Sequence, residues 1–513
     1  MNDTARFAAL KQRLPEIWTA LSSDSDYEHT SVIVPSLSVN QEELAKVTGA
    51  AFYEERLLFG LIRLRNPNAH VVYVTSQPVH PDIIDYYLDM LETVPLRHAR
   101  DRLHMLSVLD SSARPLSDKI LERPRFLERM RRLIGDPRHA YLTCYNSTPR
   151  ERQLALALGV PLNGLDPDHL VYGTKSGNRQ IFAEAGVRFP AGRENLRSEE
   201  DIVDALAELA RERPDASRAV VKLNEGFGGE GNGVFEFPAA RDSKSEIRVA
   251  LARMHWTSGT ETTELFLRKL EAMGGIVEEL VVADEVRSPS VQMRITPNGE
   301  AVLVSSHEQV LGGATGQSYL GCRFPADDAY RKLLLEEAEK IGRVLAARGV
   351  LGRFGIDFLA CRDRRSDNWG AYAIEINLRM GGTTPPFMAL QFLTGGGIDG
   401  DTGLFLAPDG TRKYYSATDN LKSAAYRGLL PEDLFEIVAR KGLGFRHASG
   451  TGALFHMIGA LSQYGKIGMT CVADSPADAQ AMFDRTVVAL DDEIDGRSHA
   501  VQVPLLDRYY SME

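Results

Sequence analysis

The chain has 513 residues, 43% of them hydrophobic and 25% charged, with a formal net charge of −11. That length holds roughly three or four folding units, the composition excludes a disordered or fibrous chain, and the acidic balance disfavours nucleic acid and points to small-molecule partners. Four scattered cysteines without a C-x-x-C pair indicate neither a zinc site nor a disulfide framework, and the lack of an apolar leader or spanning run predicts a cytoplasmic protein with no membrane partner.

In chain order, short apolar runs beginning at Ser31, Val71, His104 and Ala140 read as buried strands, separated by amphipathic segments beginning at Gln41 and Asp118. This alternation predicts a parallel sheet with crossover helices over residues 1–165. No glycine-rich fingerprint follows its first strand, so no nucleotide is expected there. From about Leu165 the texture changes. Helices are predicted in "GTKSGNRQIFAEAGVRFPAG" and "SEEDIVDALAELARERP", followed by a strand, glycine loop and strand in "AVVKLNEGFGGEGNGVFEF". A helix near Thr262 to Met273, the strands "GGIVEELVVADEVRSPSVQMRIT" and "EAVLVSSHEQVLGG", and a long amphipathic helix in "DDAYRKLLLEEAEKIGRVLAARG" come next. The strands "GRFGIDFLACRD" and "GAYAIEINLR" close a second unit over 166–400, with a glycine-rich lobe at about 190–278. A smaller α/β unit occupies 401–513.

The loop "GFGGEG" matches the spacing G-x-G-x-x-G, but a dinucleotide turn needs a helix after the glycines, and "VFEFP" is a strand. A Walker loop needs G-K-[ST], which is missing. What remains is a strand–turn–strand unit with Lys222 on its first strand, whose glycines can present consecutive N–H groups to phosphates. On its own such a loop is equally a mobile hairpin turn. Glu278 and Glu285 bracket a short apolar run, a pattern in which backbone passes an adenine edge and a carboxylate reaches ribose. Further on, Asp357 lies on one predicted strand, and Glu375, Asn377 and Arg379 fall at i, i+2 and i+4 on the next, on one face. If the two strands pair, two carboxylates and an amide oxygen converge. That set suits Mg²⁺, with Mn²⁺ as a substitute, beside nucleotide phosphates, and Arg379 is placed to stabilise charge on the reacting group.

The ordered set of Lys175, Lys222 before "GFGGEGNG", "VEELVVADE", Asp357 in "GIDF" and "EINLR" resembles the ATP-grasp superfamily over about Leu165 to Gly400. Over most of the chain, "EINLRMGGTTPPF", "EQVLGGATGQSYLGCRFPA" and "GTGALFHMIGALSQYGKIGMTCVADSPADA" look like the pheganomycin-type peptide ligases. The resemblance implies an α/β ATP-grasp fold, preceded by a Rossmann-like pre-ATP-grasp domain and followed by a smaller α/β domain. It implies that Lys175 and Lys222 contact the phosphates of ATP, with Gly228, Gly229 and Gly231 closing over them. Glu279 and Val281, beside Glu278, would serve adenine, and Glu285 ribose. Asp357, Glu375 and Asn377 would hold Mg²⁺, with Arg379 at the reacting phosphate. Where D-alanine:D-alanine ligases carry an arginine two residues before the metal aspartate, this chain has Gly355, and Arg353 is the candidate replacement. Relatives commonly have His in the turn occupied here by Pro385 and Pro386.

The reaction implied is carboxylate–amine ligation through an acyl phosphate, on amino acids or peptides of specialised metabolism, with a homodimer as the candidate assembly. His307, Glu308 and Gln309 are candidates for substrate recognition, and His456 reads as a packing residue. A carboxylase, a small-molecule kinase or a non-catalytic ATP-binding scaffold are the rival readings; neither a biotin carrier motif nor a loss of metal ligands is visible to favour them.

Overall fold

The computed structural model describes residues 2–24, 26–39, 44, 47–226, 231–256, 261–312, 318–363 and 368–500. Gly228 and Gly229 lie outside them. The four predicted N-terminal strands are present as β1 (His29–Val34), β2 (Ala69–Thr75), β3 (Leu103–Ser107) and β4 (Ala140–Cys144), all parallel in the order β3-β2-β1-β4. β1 is buried along its whole length, as a parallel strand covered on both faces must be. The order reverses between β1 and β4, and crevices at the carboxyl ends of such strands are where open α/β sheets bind ligands.

Two connections differ from expectation. The segment read as one helix from Gln41 is helical over Ala50–Arg65 with 3₁₀ geometry. The segment from Asp118 is two helices, Leu116–Leu121 and Pro124–Ile134. Pro124 lacks an N–H and holds Arg123 out of the helical region, at φ −119° and ψ 82°, so the helix must restart there.

The second sheet contains β5 (Gly192–Leu196), β6 (Arg218–Leu223), β7 (Asn232–Glu236), β8 (His255–Trp256) and β9 (Gly275–Glu279), antiparallel in the order β5-β9-β6-β7-β8. The helix Glu199–Glu212 starts at a capping box between Ser198 and Asp201 and buries Ile202, Leu206 and Leu209 against Val221, Phe235 and Val277. The glycine loop joins β6 to β7, so a strand does follow it. At the end of the loop Gly231 has φ +71°, and a Cβ there would lie 2.9 Å from Leu223 Cδ1, so only glycine fits without strain.

The third sheet holds every later strand. β10 (Glu285–Arg287), β11 (Pro289–Ile295), β12 (Ala301–Gly312), β13 (Ser318–Phe324), β14 (Gly352–Arg362) and β15 (Gly370–Asn377) precede the helix Thr384–Thr394. β16 (Gly397–Ile398), β17 (Phe405–Leu406), β18 (Arg412–Lys422), β19 (Gly452–His456) and β20 (Lys466–Ala473) follow it. The sheet runs β10-β14-β11-β12-β13-β18-β17-β16, with β15 on β14, β20 on β18 and β19 on β20. The amphipathic helix Arg331–Ala347 packs Leu334, Ile341 and Leu345 on Val291, Ile295 and Phe354. Among the described residues no helix is long and apolar enough to cross a membrane.

One hydrophobic core joins the two ends of the chain: Ile33, Leu61, Tyr73 and Tyr87 pack with Leu434, Phe455, Met469 and Leu490. Glu54 and Glu55 are buried beside it; Glu54 accepts from Ser76 Oγ at 2.7 Å and Glu55 from Gly459 N at 3.0 Å. Burial pushes both carboxyls up to about 7. In the unfolded chain Glu55 ionises near 4.5, so between the two values the folded state holds a proton that the unfolded state has lost. The stabilisation from this group is full below about pH 4.5 and is lost as pH rises through about 7. Glu55→Gln cannot ionise, so its Tm, measured against wild type by thermal unfolding, is expected to gain on the parent across that window. A difference between the two proteins that stays constant with pH would refute this.

Candidate active site

A cleft of about 740 Å³ gathers residues from the second and third sheets and from the segments that follow β1 and β4, a volume typical of small-molecule sites. Lys175 opens the helix Lys175–Ala185, capped by Thr174, whose hydroxyl accepts from Gly177 N at 3.0 Å. Its side chain is 8% exposed and its ammonium is ion-paired with Glu375. Lys222 on β6 forms an ion pair with Glu278 on β9. The register sets Val220 opposite Glu278, so Lys222 meets that carboxylate diagonally across one sheet face. Arg179 Nη1 is a further cation 3.7 Å from Glu278.

β14 and β15 bring the predicted metal ligands together. Asp357 lies opposite Glu375 and Gly355 opposite Asn377. The register shifts just beyond Asp357, leaving Ile374 as an extra residue in a β-bulge, a device that re-aims neighbouring side chains. Asp357 accepts from Gln309 Nε2 at 2.6 Å and from Asn377 Nδ2 at 3.0 Å. Burial and the Glu375 carboxylate push Asp357 up. Burial opposes ionisation of Glu375 too, but Lys175 and Arg379 outweigh it and hold that carboxyl below its ordinary range. Two carboxylates and an amide that carries an oxygen form a hard donor set that fits a divalent cation such as Mg²⁺. The position two residues before Asp357 has no room for an arginine side chain: a Cβ on Gly355 would come within 2.8 Å of Gln292 Nε2.

The other predicted residues divide. Arg379 does not share the strand face, because β15 ends at Asn377; it sits in the bend beyond, where its N–H donates to Asn377 O at 2.8 Å, and still lines the cleft. Arg353 does not line the cleft. It lies opposite Arg294, against a cavity of about 10 Å³ with Thr383 and Thr384, and burial with the charges of Arg294 and Arg63 pushes it down to about 9. Of the trio on β12, Gln309 reaches the cleft. His307 is buried, 2.6 Å from Tyr415 Oη, and burial pushes its imidazole down to about 3. Glu308, on the opposite strand face, accepts from Asp327 N at 3.0 Å and Tyr330 Oη at 2.7 Å. Glu278, Glu279 and Val281 line the cleft. The Glu279 N–H is taken by Ala191 O at 2.8 Å and its side chain by Arg213 at 3.0 Å. Val281 lies in the connection from β9 to β10. Glu285 pairs with Arg362 at 2.9 Å, outside the lining.

The cleft also contains residues that sequence reasoning did not single out. Tyr145 and Asn146 follow β4 at the crevice beside β1. Tyr53 and Arg56 come from the 3₁₀ run and Asp419 from β18. Arg56 and Asp419 are 363 positions apart, and no local pattern links them.

Residues 169–255 and 243–401 match the family model described as IQCH-like, ATP-grasp, and residues 433–486 match the PGM1 C-terminal domain. The chain is 31% identical over 478 residues to an L-propargylglycine–L-glutamate ligase of Streptantibioticus cattleyicolor, covering 91% of this chain and 95% of that protein. It is 23% identical over 540 residues to the IQ motif-containing protein H of Danio rerio, spanning 95% of this chain and 50% of that one. Among solved structures, a biotin carboxylase–β,γ-ATP complex from Campylobacter jejuni superposes with a TM-score of 0.53 at 14% identity, over 90% of each chain. The ADP complex of an N5-carboxyaminoimidazole ribonucleotide synthetase does so at 0.50 and 11%, over 92% of this chain and 98% of that one. The last two likenesses establish the fold.

Proposed function

The chain belongs to the ATP-grasp family of ATP-dependent, ADP-forming carboxylate–amine ligases, and we propose that it joins the carboxyl group of one amino acid or peptide to the amine of another. The observation that carries this reading is the convergence, in one cleft, of two lysines with the Asp357, Glu375 and Asn377 donor set. Lys175 and Lys222 neutralise the phosphates of ATP, releasing Glu375 and Glu278 from their present ion pairs. Gly228, Gly229 and Gly231 offer backbone N–H groups to the same phosphates and shield them from water. Val281 passes the adenine edge, and Glu285 turns to ribose.

Asp357, Glu375 and Asn377 hold Mg²⁺, or Mn²⁺ in its place, which when bound screens the negative charge of the transferring phosphoryl group. The γ-phosphoryl passes to the substrate carboxylate, giving an acyl phosphate and ADP. The amine then attacks the acyl carbon, Arg379 meets the oxyanion, and phosphate leaves as the amine loses its proton. No protein nucleophile is needed.

The test is direct: the purified chain with ATP, Mg²⁺ and paired amino acids, L-propargylglycine with L-glutamate first, read by ADP release and by product mass. A product of the summed masses less one water, with one ADP per amide, is expected. ADP release with no coupled product from any pair would overturn the reading.

A further inference from the structure

On the side of the cleft built by the segments that follow β1 and β4, the Arg56 guanidinium is stacked between two tyrosine rings, 4.3 Å from the centroids of both Tyr53 and Tyr145. Stacking occupies the two faces of the group and leaves its N–H donors pointing out along the edge. Among the described residues those donors are poorly used. Nη1 is 3.4 Å from Asp419 Oδ2, a long contact, and Nε is buried without a hydrogen-bond partner. The residue is 5% exposed yet lines the cleft. Lys466, also 5% exposed, donates to Tyr53 Oη at 2.7 Å beneath it. Among the described residues two buried cations thus face a single carboxylate, an imbalance costly to keep unless an anion joins them.

We propose that Arg56, held between Tyr53 and Tyr145, is the seat of the free carboxylate of the amine substrate, so that the acceptor is an amino acid or peptide with an unblocked carboxyl terminus. The chemistry requires such a seat. The carboxylate to be activated belongs at the phosphates, beside Arg379, and a second carboxylate on the acceptor must be held away from them, or it would be phosphorylated in turn. The two places adjoin: Met380 N, next to Arg379, donates to Tyr145 O at 3.2 Å. Burial lowers Lys466, against the pull of Asp419, with a smaller push from the Arg56 charge.

This inference rests on the ligase reading, and its test separates the two. The full chain is assayed with ATP, Mg²⁺ and pairs drawn from the twenty amino acids and L-propargylglycine, and the productive pair is repeated with the acceptor as its α-carboxamide. The acid is expected to exceed the amide by about 100-fold in kcat/KM, the scale of truncating one partner of a desolvated charge pair. In Arg56→Gln that ratio should collapse towards unity through the KM of the acid, with the KM for ATP unchanged, and Arg56→Lys should restore part of it. Arg56→Lys also carries the test if the neutral variant does not fold. A merely structural role would depress acid and amide alike and leave the ratio intact. Equal use of acid and amide by wild type, or an unchanged ratio in both variants, overturns the carboxylate seat while the ligase stands. Absence of coupled product from every wild-type pair overturns both.

Discussion

Glu375→Gln is expected to reduce ADP formation by at least about 1,000-fold, the scale on which loss of one charge-stabilising group acts at a reacting centre, while the protein stays folded. Glu375 lies opposite Asp357 across the β14–β15 pair and is the counter-ion of Lys175, so it belongs to both charge systems of the cleft. Glutamine keeps the shape and an oxygen that accepts from Lys175, which preserves packing, but removes the negative charge that a divalent cation requires. Fluorescent-nucleotide binding and circular dichroism should change little, and steady-state ADP release should vanish. Activity within tenfold of wild type would remove Glu375 from the metal site.

Lys222→Met is the second large effect, and its signature differs. The variant should raise the KM for ATP by roughly 100-fold, as expected for losing a charge-assisted contact to phosphate. It also strands Glu278, a carboxylate only 5% exposed, and breaking such a buried pair costs about 3–5 kcal/mol. Arg179, 3.7 Å away, offsets part of that loss. The double variant Lys222→Met/Glu278→Gln should therefore recover thermal stability without recovering ATP affinity. If affinity returned with stability, Lys222 would be a packing residue, and the phosphate role would fail.

Much of the architecture was legible because it is written in short-range patterns. Continuous apolar runs marked β1 to β4, and the strand after the glycines separated "GFGGEG" from a dinucleotide turn. Spacing of two placed Asp357, Glu375 and Asn377 on a common face once their strands paired. What failed is also physical. Alternation tells which face a residue occupies but not how deep it lies, so Arg353 and His307 share a parity with Asp357 and Gln309 and yet sit away from the cleft. The period of two extends in the sequence to Arg379, but the strand itself ends at Asn377. Arg56, Tyr145 and Asp419 had no local signal, since their relation exists only after distant segments of the chain have docked.

The shared core of Ile33, Tyr73 and Tyr87 with Phe455, Met469 and Leu490 bears on how the molecule is made. Its two halves are about 400 residues apart, and at a ribosomal pace of roughly 5–20 residues per second they are synthesised roughly 20–80 s apart. During that interval the early apolar surface has no permanent cover, and this stretch of the nascent chain is where a chaperone would be needed most.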